Sequence, residues 1–242
     1  MSSSSSPPRT VAVVMPALNE SAVIQRAIAA AWDAGADEVI VSDGGSSDDT
    51  VPRARLAGAQ VVSSPAGRAI QQNRGAAVAT SEVLLFQHVD NWLGPQAIDQ
   101  IRRLETRDQP CLGAFRQQID ASGLLYRLLE LGNAWRVQYR RLPFGDQGIF
   151  MSRRLFDQLG GFPTVRLMED VVLMRVAARH VVPQLLPGPI HVSARRWQKH
   201  GVVRQTCRNF GLMAAYRCGI HPDRLAGFYP RHDAQKDSRS AS

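Results

Sequence analysis

Short apolar runs alternate with amphipathic segments through the first hundred residues of the chain. Apolar runs that are rich in β-branched and bulky residues predict strands covered on both faces. We predict four such strands, at 10–15, 38–42, 60–63 and 83–86. The segments between and after them have helical spacing and predict helices at 22–34, 52–58, 67–79 and 95–105. This alternation is typical of a three-layer α/β fold with a mostly parallel central sheet flanked by helices.

The second half of the chain is less regular. Its patterns predict strands at 111–119, 147–151, 184–186 and 190–193, and helices at 122–139, 153–159, 169–179 and 202–218. One stripe of large apolar residues in the helix at 122–139 comprises Leu124, Leu125, Leu128, Leu129 and Trp135. A stripe at this spacing usually faces a core, and this is what we expect here. The alternative is a helix lying at a membrane interface, because anionic lipid would attract Arg127, Arg136, Arg140 and Arg141.

Composition narrows the range of partners. A net charge of +8 and a pI near 10.2 favour an anionic partner, which is a nucleotide diphosphate, a membrane headgroup or a nucleic acid. The three cysteines have no metal-ligand spacing, which predicts a reduced compartment. No secretory signal and no membrane-spanning run is present, so we expect a cytoplasmic protein, with contact at the inner face of the membrane as an extension.

Polar side chains follow three of the predicted strands. Asn19 and Glu20 follow the first strand, and Asp43 ends the second. His88 and Asp90 follow the fourth strand. Because the carboxyl ends of parallel strands meet at one edge of a sheet, where ligands bind in open α/β folds, we expect these side chains to converge on a nucleotide site.

Each polar cluster also has an ordinary structural interpretation. Asp43 suits an Asx-turn with the glycines that follow it. Glu20 suits the first turn of a helix, where the dipole favours a carboxylate. Asp90 suits a cap on the turn before Gly94. The joint occurrence of the three clusters is what favours a binding site.

The site lacks the glycine motifs that usually hold phosphates. Neither a G-x-G-x-x-G fingerprint nor a P-loop follows the first strand, which argues against a dehydrogenase and a P-loop NTPase. An acidic site without such a cradle needs a cation to neutralise a diphosphate. Asp90 is the best single ligand and His88 the second contact. Arg68 and Arg74 are candidates to add positive charge, with a solvated helix surface as the alternative.

The motifs of the chain, taken in order, resemble those of family 2 glycosyltransferases of the GT-A fold. They are Val14-Met15-Pro16-Ala17-Leu18-Asn19-Glu20, Asp43-Gly44-Gly45-Ser46-Ser47-Asp48-Asp49-Thr50, His88-Val89-Asp90, Gly145-Asp146-Gln147-Gly148, Gly160-Gly161-Phe162-Pro163 and Met168-Glu169-Asp170. The resemblance covers most of residues 10–230 and is strongest to a compact subgroup often associated with radical-SAM or selenium-related genes. It implies one domain at 10–230, with a nucleotide-binding half at 10–105 and an acceptor-binding half at 106–230. The segments 1–9 and 231–242 are predicted to be disordered.

The resemblance implies a role for each matching position. A magnesium or manganese ion would bind Asp90, and His88 stands where the family usually has the first acid of its D-x-D motif. Asp170 resembles the general base, with Glu169 beside it. Nucleotide contacts are implied for Pro16, Ala17, Asn19, Glu20, Asp43, Gly45, Arg68, Asn73, His88 and Val89. Acceptor contacts are implied for Gly145, Asp146, Gln147, Arg196 and Trp197.

These roles together predict an inverting glycosyltransferase. The donor would be a UDP- or GDP-linked sugar, and the acceptor a small or lipid-like molecule. Asp170 would take the proton of the acceptor hydroxyl, and the metal would stabilise the departing diphosphate. If the acceptor is a carboxylate, Asp170 only positions it.

Several alternatives to these roles remain open. Glu169 and Asp170 also suit the start of a helix, Trp197 also suits a core, and Asp146 also suits a turn. At the level of the whole protein, the alternatives are a nucleotidyltransferase, a retaining transferase and a non-catalytic nucleotide-binding protein of the same fold. No nucleic-acid partner is expected.

Overall fold

A computed structural model describes residues 8–104 and 109–228. Its centre is one eight-stranded sheet with the strand order β3-β2-β1-β4-β7-β6-β8-β5. The strands are β1 (Val11–Ala17), β2 (Glu38–Asp43), β3 (Gln60–Ser63), β4 (Val83–Phe86), β5 (Asn91–Leu93), β6 (Leu112–Ile119), β7 (Ile149–Ser152) and β8 (Gln184–Val192). The α-helices are α1 (Ile24–Asp33), α2 (Thr50–Leu56), α3 (Arg68–Val78), α4 (Ala97–Arg102), α5 (Leu124–Arg140), α6 (Arg153–Leu159), α7 (Glu169–Ala177), α8 (Arg195–His200), α9 (Val202–Arg217) and α10 (Pro222–Leu225).

The first half of the chain forms the parallel part of the sheet. Strands β3, β2, β1 and β4 pair in parallel, with β1 at the centre of this part. The second half adds mixed pairing, because β7 is antiparallel to both β4 and β6. The predicted α/β fold with helices flanking a central sheet is confirmed. The mixed pairing lets one continuous sheet carry residues from both halves.

Apolar residues on the two faces of the sheet form two cores. Val13 and Met15 of β1 pack with Ile28 of α1 on one face. Their neighbours Ala12 and Val14 pack with α3 on the other face. This follows from the alternation of side chains along a strand, and it explains why the central strands are apolar at every position.

Several predicted boundaries need correction. The two short strands predicted at 184–186 and 190–193 form one strand, β8, with a break in register opposite Phe115 and Gln117. The short strand β5 follows Asp90 and was not predicted. Arg9 is buried and its carbonyl accepts a hydrogen bond from Arg102. The rest of the segments predicted to be disordered lies almost wholly outside the described residues.

The prediction that the apolar stripe of α5 faces the core is wrong. Leu124, Leu125, Leu128 and Trp135 are all at least half exposed. The side of α5 that meets the sheet carries Ala134 and Val137, both buried. Helical spacing shows that apolar residues share a face but not which face packs, and the packed side of α5 also carries Asn133, which donates to Gln117 of β6 at 2.6 Å. Across residues 8–104 and 109–228, every helix is too short or too polar to cross a membrane.

Candidate active site

The three polar clusters follow β1, β2 and β4, which lie side by side as parallel strands. Ala17 at the end of β1 lies beside Asp43 at the end of β2, and β4 borders β1 on its other side. The Gln71 side chain donates hydrogen bonds to the carbonyls of Ala17 and Ser42, at 2.7 and 2.9 Å. It thereby holds the ends of β1 and β2 together on the face that α3 covers.

The Asp43 carboxylate organises its own turn. One oxygen accepts the N–H groups of Gly45 and Ser46, both at 3.0 Å, and the other accepts the Ser46 hydroxyl at 2.5 Å. Gly45 has a φ of +92°, which side chains with a Cβ rarely adopt. The ordinary interpretation of Asp43 as a turn residue is therefore observed. Its predicted nucleotide contact remains a prediction.

The loops that follow β1 and β2 are joined by hydrogen bonds. The Asn19 N–H donates to the Ser46 hydroxyl, and its side-chain oxygen accepts the Ser47 N–H, both at 2.9 Å. The Glu20 N–H donates to the Thr50 hydroxyl at 2.7 Å. This network brings the predicted nucleotide residues of both loops into one rim. Pro16 and Ala17, the last two residues of β1, come just before this rim and are buried.

Asn73 links α3 to the Gly160-Gly161-Phe162 segment. Its amide donates to the Phe162 carbonyl and accepts the Phe162 N–H, both at 2.8 Å. Val89 is also turned inward and belongs to the core on the α1 face. The structure thus gives both residues packing roles, and their predicted contacts with a nucleotide stay predictions.

A cavity of about 180 Å³ is lined by residues that follow β4 and by the first residue of α3. Six predicted site residues line it: Arg68, His88, Asp90, Asp146, Asp170 and Trp197. These six positions come from both halves of the chain and line one cavity, and their predicted roles stay predictions. Gly145, Gln147 and Glu169 support the cavity from just behind its lining.

Gly145 brings His88 and Asp170 together. Its N–H donates to Asp170 Oδ2 at 2.6 Å, while the Val171 N–H donates to Asp170 Oδ1 at 2.8 Å. A Cβ atom on Gly145 would lie 2.8 Å from His88 Nε2 and 3.1 Å from Asp170 Oδ2. A glycine is therefore required where these two side chains approach the main chain, and Asp170 is held in one orientation.

Glu169 is buried beside Asp170 and pairs with Arg68. Its carboxylate lies 3.6 Å from the Arg68 guanidinium, and only 3% of the residue is exposed. Burial raises the pKa of Glu169, as does the neighbouring Asp170, while Arg68 opposes the increase. The pair also ties the start of α3 to the start of α7.

The 3-10 turn Gly145–Gln147 is held by a network from α5. Gln147 is fully buried, and its side-chain oxygen accepts from Arg136 at 2.6 Å and from the Phe144 N–H at 3.1 Å. The Arg136 guanidinium also stacks on Phe144, 3.4 Å from the ring centroid. Burial lowers the pKa of Arg136 to about 10, and Asp146 and Asp170 oppose this shift. Arg136 therefore places a positive charge behind the carboxylates of the cavity.

The predicted metal ligands fit a hard divalent ion. His88 and Asp90 line the same cavity. The Asp90 carboxylate is a suitable ligand for Mg²⁺ or Mn²⁺, whereas the His88 imidazole is a borderline donor that suits transition metals better than Mg²⁺. In the described parts of the chain, no group of three or more His, Cys, Asp and Glu side chains is arranged around a metal position. The residues therefore fit an ion that takes most of its other ligands from substrate phosphates and water, as Mg²⁺ commonly does.

Part of the cavity lining was not predicted from the sequence. It comprises Asn91, Phe144, Leu167, Met168, Val171, Val192, Ser193, Gln205, Asn209, Leu212 and Met213. The last four lie on α9, whose pattern indicated a helix but not its position over the site. Trp197 lines the cavity with its ring 6.3 Å from Tyr126, whereas the side chain of Arg196 lies outside the described residues.

A mixed central sheet flanked by helices, with a cavity at its strand ends, has the architecture of the GT-A fold. The sequence profile of Glycosyl transferase family 2 matches residues 12–160. The chain belongs to this family, as its motifs predicted. This membership favours the glycosyltransferase prediction over the nucleotidyltransferase alternative.

A short region is similar to a curated enzyme. Over 58 residues the chain is 52% identical to the glucosyl-3-phosphoglycerate synthase of Mycobacterium tuberculosis (strain ATCC 25618 / H37Rv). The match spans 23% of this chain and only 18% of the curated relative.

Solved structures are similar over most of the chain. Glucosyl-3-phosphoglycerate synthase from M. tuberculosis, in complex with Mg²⁺ and UDP, is 22% identical with a TM-score of 0.57, covering 88% of this chain and 80% of that one. The same enzyme with Mn²⁺, UDP-glucose and phosphoglyceric acid gives a TM-score of 0.58 at 23% identity, covering 88% and 81%. S. aureus TarS 1-349 gives a TM-score of 0.60 at 16% identity, covering 76% and 60%. At these identities the similarity shows the fold.

Proposed function

We propose that this protein is an inverting glycosyltransferase that uses a UDP-linked sugar and a divalent metal ion. The observation that carries the proposal is one cavity lined by His88, Asp90 and Asp170 at the carboxyl ends of the strands. The bound Mg²⁺ or Mn²⁺ and UDP in the solved structures of glucosyl-3-phosphoglycerate synthase support this donor and this metal. GDP is the alternative nucleotide.

The first half of the chain, 10–105, would bind the nucleotide. Its contacts would come from the rim formed by the β1 and β2 loops together with the start of α3. Arg68 would meet the phosphates, and its place in the cavity lining and its partly exposed guanidinium support this role. A bound metal at Asp90 and His88 would supply Lewis-acid stabilisation of the departing diphosphate.

The second half, 106–230, would bind the acceptor and supply the base. The acceptor hydroxyl oxygen forms a bond to the anomeric carbon, the bond from that carbon to the diphosphate oxygen breaks, and its electron pair leaves with the diphosphate. Asp170 takes the hydroxyl proton. The bonds from Gly145 and Val171 orient its carboxylate for this task. A carboxylate acceptor would need only the positioning.

The acceptor side of the cavity would be formed by Gly145–Gln147 and α8. Trp197 lines the cavity and offers an aromatic face to a small or lipid-like acceptor. Phosphoglyceric acid in the solved relative is an example of a small anionic acceptor for this fold. A cytoplasmic location, where nucleotide sugars are consumed, is part of the same proposal.

The first test is calorimetric titration with UDP and GDP, with and without Mn²⁺. Wild-type protein should bind UDP with a metal-dependent affinity. Asp90→Ala should abolish the metal dependence, whereas the control Asp157→Ala, on the exposed surface of α6, should not change it. Failure to bind either nucleotide, with or without Mn²⁺, would overturn the proposed donor.

A second test separates catalysis from binding. Asp170→Asn should bind UDP and metal normally but transfer sugar about 10²- to 10⁴-fold more slowly, as expected for loss of a general base. Donor turnover and product configuration are followed by NMR. Retention of configuration would contradict the inverting mechanism. Tight nucleotide binding without turnover of any UDP-sugar would favour the non-catalytic alternative.

A further inference from the structure

The outward face of α5 carries five large apolar side chains that are more than half exposed. They form a line at intervals of three and four residues, which we name the outer stripe: Leu124, Leu128, Leu131, Trp135 and Tyr139. Each is between 51% and 74% exposed. With 17 residues, α5 is about 25 Å long, so the stripe runs along a substantial length of surface.

The opposite face of α5 explains why the outer stripe is not needed for folding. Ala134 and Val137 are buried against the sheet. Asn133 donates to the Gln117 side chain at 2.6 Å, and Arg136 holds Gln147. The helix is therefore already fixed through its inner side. Exposed apolar surface of this size, next to polar residues, is typical of an interaction site.

The charges around the outer stripe favour an anionic partner. Arg140 and Arg141 are exposed at the end of the helix, and the Arg140 guanidinium lies 5.5 Å from the Trp135 ring centroid. The one acidic residue in the α5 sequence, Glu130, is engaged by Arg127 at 3.0 Å and by the Ile119 N–H at 2.6 Å. The protein as a whole carries a net charge of +8.

Two other occupants fit the outer stripe poorly. The parts of this sequence outside the described residues, at 1–7, 105–108 and 229–242, are mostly polar and offer no matching apolar run. A second copy would bring its own Arg140 and Arg141 and a further net charge of +8 to the contact. Like charges at such a contact oppose self-association.

We propose that the outer stripe docks α5 on an anionic lipid bilayer, with the helix lying in the plane of the interface. Leucines would enter the acyl boundary, while Trp135 and Tyr139 would lie at headgroup depth, where aromatic rings are favoured. Arg140 and Arg141 would meet lipid phosphates. This proposal rests on the surface of α5 and not on the identity of the donor or the acceptor.

Docking through α5 would place the lipid surface close to the cavity. Tyr126, in the first turn of α5, packs against Trp197 of the cavity lining. The inner side of the same helix holds the turn Gly145–Gln147 through Arg136. A bilayer on the outer stripe would therefore lie beside the part of the cavity that we assign to the acceptor.

The test is flotation of the full chain with vesicles of phosphatidylcholine alone and of phosphatidylcholine mixed with phosphatidylglycerol. Wild-type protein should bind the mixed vesicles and be released by salt. Leu131→Glu should weaken binding about tenfold or more, because it puts a charge where the bilayer would otherwise bury apolar side-chain area. Arg140→Gln should weaken it about fivefold. The matched control is Leu56→Glu, an exposed leucine of α2 outside the stripe, which should bind as wild type.

Because all of these positions are exposed, the variants are expected to fold, and circular dichroism checks this. Equal binding to both kinds of vesicle would overturn the proposal, as would unchanged binding of Leu131→Glu. Light scattering measures the oligomeric state and so tests whether a second copy covers the outer stripe. A dimer that Leu131→Glu dissociates, without vesicle binding by the wild type, would assign the outer stripe to a second copy and overturn lipid docking.

Discussion

Single residues at this site are constrained mainly by how closely the main chain approaches them. Gly145 is the clearest case, because its N–H orients Asp170 while its missing side chain leaves room for His88. Asp43 also contacts the main chain closely, since its carboxylate accepts hydrogen bonds from the turn that follows β2. The chemistry of the cavity therefore depends on residues that do not themselves react.

Gly145→Ala should reduce catalysis with little effect on folding. The added Cβ would displace His88 or Asp170, which lie 2.8 and 3.1 Å from its position. A displacement of this kind near reacting groups costs on the order of 100-fold in rate. The measurement is the rate of donor turnover. Gly132→Ala is the control, since a Cβ there meets nothing within 4 Å, and an equal loss in both variants would refute the explanation.

Asp48 should make stability depend on pH. Burial alone would raise the pKa of Asp48, but hydrogen bonds from Thr50 and Ser21 lower it from 3.8 to about 2. The carboxylate therefore stabilises the folded state above about pH 4, and this contribution is lost as the pH falls towards 2. Allowing for solvent screening, Asp48→Asn should cost about 1 kcal/mol at neutral pH.

Urea unfolding at neutral pH and at steps down to acid conditions checks this prediction. The difference between wild type and Asp48→Asn should shrink as the pH decreases. Asp49→Asn is the neighbouring control, because the exposed Asp49 makes only a 3.9 Å ion pair with Arg53. A difference between wild type and Asp48→Asn that stays constant with pH would show that the Asp48 charge is not responsible.

At the scale of elements, two helices position the site: α3 from the first half of the chain and α5 from the second half. Helix α3 lies directly on the strands, with Gly75 against Val14 of β1. It carries Gln71 to the ends of β1 and β2, and Arg68 to the cavity. Helix α5 reaches the turn Gly145–Gln147 through Arg136. Both helices therefore fix the positions of cavity residues relative to the sheet.

Gly75→Ala should destabilise the protein by about 1–3 kcal/mol, the usual cost of overpacking a core. A Cβ at this position would lie 2.5 Å from a methyl group of Val14. Gly211→Ala, at an exposed position of α9, should instead be neutral or stabilise the protein by about 0.5–1 kcal/mol, since a Cβ added there meets nothing within 4 Å. Chemical unfolding of both variants measures the contrast. Equal effects would mean that helix propensity, and not packing, governs the Gly75 position.

At the scale of the whole molecule, the cavity joins the two halves of one sheet. Arg68 on α3 pairs with Glu169 on α7, although they are 101 residues apart in sequence. Strand β7 makes this possible, because it belongs to the second half of the chain and pairs with β4 of the first half in the same sheet. A ligand in the cavity would contact both halves at once.

Ligand binding should therefore stabilise the entire domain. UDP at about 100 times its Kd, in the presence of Mn²⁺, should add about 2.7 kcal/mol to the free energy of unfolding. For a chain of this size the thermal midpoint should rise by about 5–10 °C. Removal of the metal with EDTA should abolish most of the increase. An equal increase with UDP and EDTA would contradict a metal-dependent site.

Much of the fold was predictable because local patterns carry it. Strands β3 and β4 and helix α6 have the predicted bounds, since short apolar runs between turn residues leave little choice. The strand-end residues Asp43, His88 and Asp90 were predicted to converge because parallel strands share an edge. The lining from α9 was not predictable, since nothing in a helical pattern states where the helix docks.

The sequence by itself determined the family, the α/β fold and the chemical types at the site, because these follow from motif order, periodicity and the position of polar residues after strands. Tertiary structure alone decided which groups meet. It placed Gly145 between His88 and Asp170, paired Arg68 with Glu169, and turned the apolar stripe of α5 outward. The physical reason is that contacts between distant segments depend on the packing of whole elements, which no local pattern encodes.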